Sequence, residues 1–388
     1  MRDILDEIYP WYLAGEAFGL ATVVNTFNSA PRRPGAAMAV SASGAVVGSV
    51  SGGCVEGAVY EEAIDALRSG RPRMQTYGVS GDDAFAAGLT CGGILDLYIE
   101  PVSPETFPEL PDLMASLAAA EPVALATAVS GPDDGPGAPG SRLVLWPDRS
   151  RGTLGAKPLD RAVAVDARGM LDQGATGLRR YGPAGQRRGD EISVFVQSFA
   201  PAPRMLVFGA IDFAAAFARL GAFLGFRVTV CDARPVFATA ARFPDAHEVV
   251  VRWPHEYLAE EAAAGRVDGR TVVAVLTHDP KFDVPLLATA LRLPRLAYVG
   301  ALGSRRTHLD RLARLREVGL DERELARLCS PAGLDLGGRT PQETAVSIAA
   351  EFIAGHWGGT GDRLTLTDGP IHTPTPGEHV SEPALRPS

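Results

Sequence analysis

Apolar and polar positions alternate with two different periods along this chain, and the periods divide it. Residues 4–18 place Leu5, Ile8, Trp11 and Tyr12 on one stripe, which predicts an amphipathic helix. The β-branched run Ala21-Thr22-Val23-Val24-Asn25-Thr26 predicts a strand, broken by the Pro- and Gly-bearing stretch Asn28-Ser29-Ala30-Pro31-Arg32-Arg33-Pro34-Gly35. An alternating apolar run over residues 37–47 predicts the next strand, and residues 55–67 return to helical spacing. Further strands are predicted over 73–77, 94–99, 121–129, 141–146, 162–165 and 191–199, with a helix before residue 117 and a Gly/Pro/Asp-rich loop over 130–140.

After Pro201-Ala202-Pro203 the pattern changes. Arg204-Met205-Leu206-Val207-Phe208 is a short continuous apolar run, as in a strand buried on both faces. Gly209-Ala210-Ile211-Asp212 opens a helix that ends near Gly225, and Arg227-Val228-Thr229-Val230-Cys231-Asp232 is a second strand with an acid at its end. That strand–turn–helix–strand–acid order is the order of a dinucleotide fold, although Ile211 stands where the middle glycine of the fingerprint normally lets backbone approach a pyrophosphate. Further α/β units end in Thr277-His278-Asp279 and Gly300-Ala301-Leu302-Gly303-Ser304-Arg305-Arg306, and Pro341 opens a final helix to residue 354. The pattern predicts an α/β protein: an N-terminal α+β module over 1–200, with a motif core at 15–100 and a β-rich continuation at 118–200. A Rossmann-like doubly wound parallel sheet follows over 203–357, then a tail over 358–388 rich in Pro, Gly, Thr and Glu that reads as disordered.

Composition narrows the function classes. The chain has 388 residues and a net charge of −9, with no basic tract, which argues against nucleic acid as the main partner. No stretch is apolar enough to span a membrane, and the acidic start Met1-Arg2-Asp3-Ile4-Leu5-Asp6-Glu7 is unlike a signal peptide, so a reducing cytoplasm is the default location. Four widely spaced cysteines do not form a disulfide framework or a zinc pattern.

Candidate chemistry concentrates in a few turns. Gly48-Ser49-Val50-Ser51-Gly52-Gly53-Cys54-Val55-Glu56 joins a strand to a helix with a thiol at its tip. Its amides and the positive helix end would favour an anion or a thiolate, Glu56 stands close enough to oppose that, and a glycine turn around a small core cysteine is the competing reading. Leu89-Thr90-Cys91-Gly92-Gly93 repeats the Cys-Gly-Gly element, which favours one site shared by Cys54 and Cys91. Arg32 and Arg33 suit a phosphate or carboxylate, or a solvated turn. In the second half, Gly209, Ala210, Asp232, His278, Gly303, Ser304 and Arg305 fall at strand ends that share one crevice in a parallel sheet. Ser304 reads equally as a helix cap, and His278 as an acid, a base or a histidine fixed by Asp279.

These motifs resemble the xanthine dehydrogenase accessory proteins, the XdhC and CoxI family of molybdenum-cofactor chaperones. The resemblance runs from about Gly15 to Ile353 and rests on the stretches above together with Asp232-Ala233-Arg234-Pro235, Arg242-Phe243-Pro244-Asp245-Ala246 and Gly333-Leu334-Asp335-Leu336-Gly337. Asn28 stands where the family usually has glycine, and Ile211-Asp212 where it often has a second glycine in the Rossmann turn. The resemblance implies a protein that binds molybdenum cofactor as cargo, supports its sulfuration with a desulfurase partner and hands it to an apo-molybdoenzyme of the xanthine dehydrogenase type. It implies Cys54 as the thiol meeting the metal, with Arg32, Arg33, Ser51, Gly52, Gly53 and Cys91 around the cofactor and a homo-oligomer as the working state. Two rival readings are an NAD(P)-dependent oxidoreductase with Asp232 on the ribose and His278 as proton donor, and a catalytically silent interaction protein.

Overall fold

A computed structural model describes residues 1–27, 32–78 and 93–368. The chain falls into two compact units, Met1–Pro201 and a second that begins at Ala202. No helix among the described residues is long and apolar enough to cross a membrane.

The first unit opens with α1 (Leu5–Leu13). The helix stops well short of the predicted residue 18: Gly15 takes a left-handed φ of +73°, and Phe18 already belongs to β1 (Phe18–Phe27). The alternating run after residue 37 is a hairpin, β2 (Ala37–Ser41) and β3 (Val46–Gly48), because Gly44, at a φ of +88°, turns the chain back. α2 (Glu56–Ser69), β4 (Arg73–Tyr77) and β5 (Ile94–Val102) complete an antiparallel sheet ordered β3-β2-β1-β5-β4.

After α3 (Leu110–Ala118), the same design recurs. β6 (Val123–Ser130), β7 (Arg142–Leu145), β8 (Ser150–Thr153), α4 (Lys157–Gln173), β9 (Gly177–Tyr181) and β10 (Ile192–Phe199) form a second sheet ordered β8-β7-β6-β10-β9. The expected strand at 162–165 lies inside α4. Leu159, Val163, Ala167, Met170 and Leu171 form its buried stripe, Pro158 sits in its first turn and Gly174 ends it in a left-handed C-cap, so the helical period overrides the local alternation.

The two halves correspond residue by residue. Gly35 and Ala36 exchange backbone hydrogen bonds with Val23 at 2.7 and 2.9 Å, and Gly140 and Ser141 do so with Ala128 at 2.9 and 2.9 Å. Leu20-Ala21-Thr22 in β1 matches Leu125-Ala126-Thr127 in β6. A bulge interrupts the β1–β5 pairing near Val24 and the β6–β10 pairing near Val129, and these two valines pack together with Tyr98 and Phe195. The first unit is therefore an internal duplication, with its two sheets meeting at this apolar cluster.

The second unit is a six-stranded parallel sheet of β11 (Arg204–Phe208), β12 (Arg227–Asp232), β13 (Glu248–Val251), β14 (Val272–Val275), β15 (Tyr298–Ala301) and β16 (Leu328–Cys329), ordered β13-β12-β11-β14-β15-β16. Helices cover both faces, as the continuous apolar strands require. Met205 and Val207 face α5 (Asp212–Phe223) and α10 (Pro341–Trp357). Leu206 and Phe208 face α6 (Pro254–Ala263), α7 (Pro280–Arg292), α8 (Arg305–Glu317) and the short α9 (Glu322–Leu325). Of the predicted tail, residues 358–368 carry one exposed 3-10 turn, Leu364–Leu366, and 369–388 lie outside the described residues.

A carboxylate fastens the start of this sheet. Glu261 on α6 pairs with Arg204 at the head of β11 and with Arg266, whose Nη2 and Nε donate at 2.5 and 3.0 Å. The Arg266 hydrogen bonds, aided by Arg204 and opposed by burial, lower the Glu261 carboxyl to about 2. Its folded pKa lies below the unfolded value near 4.5, so its stabilisation is present above about pH 4.5 and is lost as pH falls toward 2. Thermal unfolding of Glu261→Gln is expected to depend less on pH across that window than the wild type does. Parallel pH curves for the two proteins would contradict this.

Candidate functional site

Strand directions bring the N-terminal motifs to one end of the first sheet. β1, β3 and β4 run toward that end, and β2 and β5 start from it. Arg32 and Arg33 before β2, the cysteine loop between β3 and α2, and the start of β5 therefore share one edge. Ser49 N donates to Ala37 O at 3.1 Å, which ties the cysteine loop beside the arginine loop. Cys91 lies outside the described residues, so the expectation that it joins Cys54 is not placed.

In the cysteine loop, Ser51 is buried while Gly52, Gly53 and Cys54 are exposed. Val50 and Val55 anchor the loop in the core beneath α2. The amides do not point to solvent as an empty anion site would require. They converge on Glu56, whose carboxylate accepts from Ser51 N at 2.9 Å, Gly52 N at 3.0 Å, Gly53 N at 2.8 Å and Val55 N at 3.2 Å, and from the Ser49 hydroxyl at 2.6 Å. Burial pushes the Glu56 carboxyl up, but the hydrogen bonds from Ser49, Ser51 and the backbone outweigh it and bring it down to about 2. The glycine amides expected to meet a cargo phosphate donate to an internal anion, the Glu56 carboxylate. Cys54 N donates to Ser51 Oγ at 2.9 Å, which fixes the thiol-bearing residue at the loop tip.

Arg32 and Arg33 are exposed beside a shallow groove of about 620 Å³. The groove is also lined by Arg2 and, from the second repeat, by Thr176, Gln197 and Ser198. Gln197 Nε2 donates to Gly35 O at 3.1 Å and Arg2 Nη1 donates to Ala200 O at 2.7 Å, so the duplicated half buttresses the arginine loop. Neither Arg2 nor Gln197 carries a motif, and only the fold brings them to this groove.

In the second unit the predicted residues do gather at the strand ends. A side chain at Gly209, with φ +111°, would collide with Thr277, and Ala210 N donates to Asp232 at 2.8 Å. Gly303 lies against Arg311, and Arg234 acts electrostatically on Asp279. Their bonding does not suit a dinucleotide. Asp232 is 2% exposed, and it receives Ala210 N, Arg234 N at 2.9 Å and the Arg234 guanidinium at 2.9 and 2.7 Å. Burial works against its charge, and these hydrogen bonds still hold its carboxyl below the usual range. The ribose acceptor is thus turned inward, and the turn amide that would meet a pyrophosphate is used. Asp212 adds a carboxylate in the first turn of α5, paired to Arg242 at 3.4 Å. NAD(P) does not fit these residues.

His278 is exposed, and Asp279 does not fix it: that carboxylate caps α7 through Lys281 N at 3.1 Å and pairs with Lys281 Nζ at 3.2 Å. Ser304 caps α8 by accepting from Thr307 N at 3.1 Å, and Arg305 follows it, exposed. Beneath them lies a buried pair without any sequence motif, Asp283 with Arg311 at 3.1 Å, which also engages Thr277, Ser330 and Leu302.

Comparison with known proteins accords with both units. The model for the XdhC Rossmann domain matches residues 205–352, and that of the XdhC and CoxI family matches residues 11–78 and 116–182, one stretch in each repeat. The chain belongs to the XdhC and CoxI family. It is 28% identical over 353 residues to the molybdenum cofactor insertion chaperone PaoD of Escherichia coli, covering 91% of this chain and 88% of that one. It is 27% identical over 339 residues to a Bacillus subtilis protein named as a probable component of xanthine dehydrogenase, covering 86% and 92%. A crystal structure described as a xanthine dehydrogenase from Bacillus halodurans shares the fold, with a TM-score of 0.61 and 23% identity over 90% of this chain and 95% of that one.

Proposed function

We propose that this protein is a molybdenum-cofactor chaperone: it binds the cofactor as cargo, supports its sulfuration and delivers it to an apo-enzyme of the xanthine dehydrogenase type. The observation that carries the reading is the shared sheet end, where an exposed thiol, Cys54, lies one loop away from the exposed Arg32 and Arg33. A thiol is a soft ligand suited to a metal already held by sulfur, and paired guanidinium groups suit a phosphate. Cargo with a sulfur-ligated metal at one end and a phosphate at the other would need both. The relative PaoD bears the name of such a chaperone. Sulfuration requires a sulfur donor, so a desulfurase is a proposed partner, and a homo-oligomer in the cytoplasm is the proposed working state. Gly209, Ala210, His278, Gly303, Ser304 and Arg305 form a second proposed contact, in which exposed Arg305 at the start of α8 is the anion-binding element.

Delivery tests the reading. Wild type loaded with cofactor is expected to activate an apo-enzyme of the xanthine dehydrogenase type, and Cys54→Ala to give less than a tenth of that activation. Equal activation by both would remove the thiol from the function.

A further inference from the structure

The turn from Ser49 to Val55 is shaped as an anion seat, and an anion of the chain's own fills it. Glu56 Oε1 accepts from Ser49 Oγ, Ser51 N and Gly52 N; Oε2 accepts from Ser51 Oγ at 2.5 Å, Gly53 N and Val55 N. Gly52 and Gly53 take φ values of +81° and +120°, yet a Cβ built on either meets nothing within 4 Å. The glycines are thus required for the direction of their amides, not for room against the rest of the chain. The second repeat shows that the carboxylate belongs to the architecture. Asp160, in the first turn of α4, accepts from Leu154 N at 2.7 Å and Thr153 Oγ1 at 2.9 Å, in a turn with neither thiol nor paired glycines. A carboxylate kept in both copies, with a thiol in only one, is part of the loop and not a substitute for cargo.

We propose that Glu56 determines what the cysteine loop can recognise. Its carboxylate holds the seat, turns phosphate and other oxyanions away from the loop, and leaves Cys54 as the loop's contribution to cargo, so that phosphate recognition falls to the Arg32–Arg33 side. Only this last assignment rests on the chaperone reading. Exclusion of oxyanions by Glu56 stands on the loop geometry alone, since two anions at one seat repel and compete for the same donors.

The test uses the full chain and inorganic phosphate, without cofactor. The rate at which iodoacetamide alkylates Cys54 is followed by mass spectrometry of the Cys54 peptide. Phosphate is expected to leave the wild-type rate unchanged and to slow Glu56→Ala at least tenfold, while acetate or phosphate raises the melting temperature of that variant. Phosphate protection of the wild type, or no protection and no rescue in Glu56→Ala, overturns the proposal. Should Glu56→Ala fail to fold, Glu56→Gln carries the test. Its amide NH2 faces donors, so phosphate is expected to protect Cys54 at least threefold better than in wild type, and equal behaviour overturns the proposal. Because no cofactor is present, the outcome is independent of whether the protein retains cofactor.

Discussion

Arg142→Ala is expected to destabilise the N-terminal unit by about 3–5 kcal/mol, because it leaves a buried carboxylate without its partner. The Arg142 side chain is 3% exposed and that of Glu100 is 9% exposed. Glu100 comes from β5 in the first repeat and Arg142 from β7 in the second, so the pair crosses the seam between the copies. Arg142 also donates to Thr106 O at 2.6 Å and Gly140 O at 3.0 Å, and its guanidinium lies 4.3 Å from the centre of the Phe107 ring. In the other copy, Gln197 stands in place of Glu100 and reaches Gly35 O, the counterpart of Gly140 O, and the Met1 ammonium donates to the same carbonyl. Removing both charges leaves no buried ion without a partner. Glu100→Gln with Arg142→Met is accordingly expected to lose much less than Arg142→Ala alone, and denaturant unfolding of the single and double variants measures the difference. Equal losses would show that the charge pair is not what is missed.

Arg311→Ala is expected to cost the second unit a similar amount, about 3–5 kcal/mol. Arg311 is 3% exposed on α8, and it joins Asp283 on α7 to Ser330 Oγ at 2.7 Å and Leu302 O at 2.9 Å. Burial raises the Asp283 carboxyl above its usual range, although Thr277 and Arg311 oppose the rise. The sign of the pH dependence follows. Below its folded pKa Asp283 is neutral and does not need the cation; above it, the full cost of the unpaired charge is felt. The loss in Arg311→Ala is thus expected to be largest near neutral pH and to shrink as pH falls through the raised Asp283 pKa. Urea unfolding at several pH values tests this, and a loss that grows on acidification would contradict it.

Much of the second unit is legible in the sequence because its strands are buried on both faces. The runs Met205-Leu206-Val207-Phe208 and Val228-Thr229-Val230-Cys231 admit few other readings, and the acid at Asp232 falls where the order of elements places it. What the acid bonds to is not legible. Arg234, only two residues on, turns it inward, and that depends on the curve of the backbone after β12. The cysteine loop is similar. Its residues mark it as a strand-to-helix turn, but the convergence of its amides on Glu56 follows from two left-handed glycines. In the middle region, residues 162–165 alternate like a strand, and only the longer stripe from Leu159 to Leu171 with its Pro158 and Gly174 ends reveals a helix. The duplication leaves a faint trace in Leu20-Ala21-Thr22 with Pro34-Gly35, and again in Leu125-Ala126-Thr127 with Pro139-Gly140. The trace is obscured because the second loop has Gly137 and Ala138 where the first has Arg32 and Arg33. Pairs such as Glu100 with Arg142 carry no local pattern at all, since strands distant in sequence supply the two charges.

The central claim is that cargo is held at the sheet end shared by Cys54, Arg32 and Arg33. The most direct measurement mixes freshly released molybdenum cofactor with wild type, Cys54→Ala, the Arg32→Ala/Arg33→Ala double variant and His278→Ala, then assays retained pterin by fluorescence after gel filtration. Retention by wild type, with loss of at least tenfold in the cysteine and arginine variants and a smaller loss in His278→Ala, is the predicted result. Retention undiminished in Cys54→Ala and in the arginine variant would place the cargo elsewhere and contradict the account.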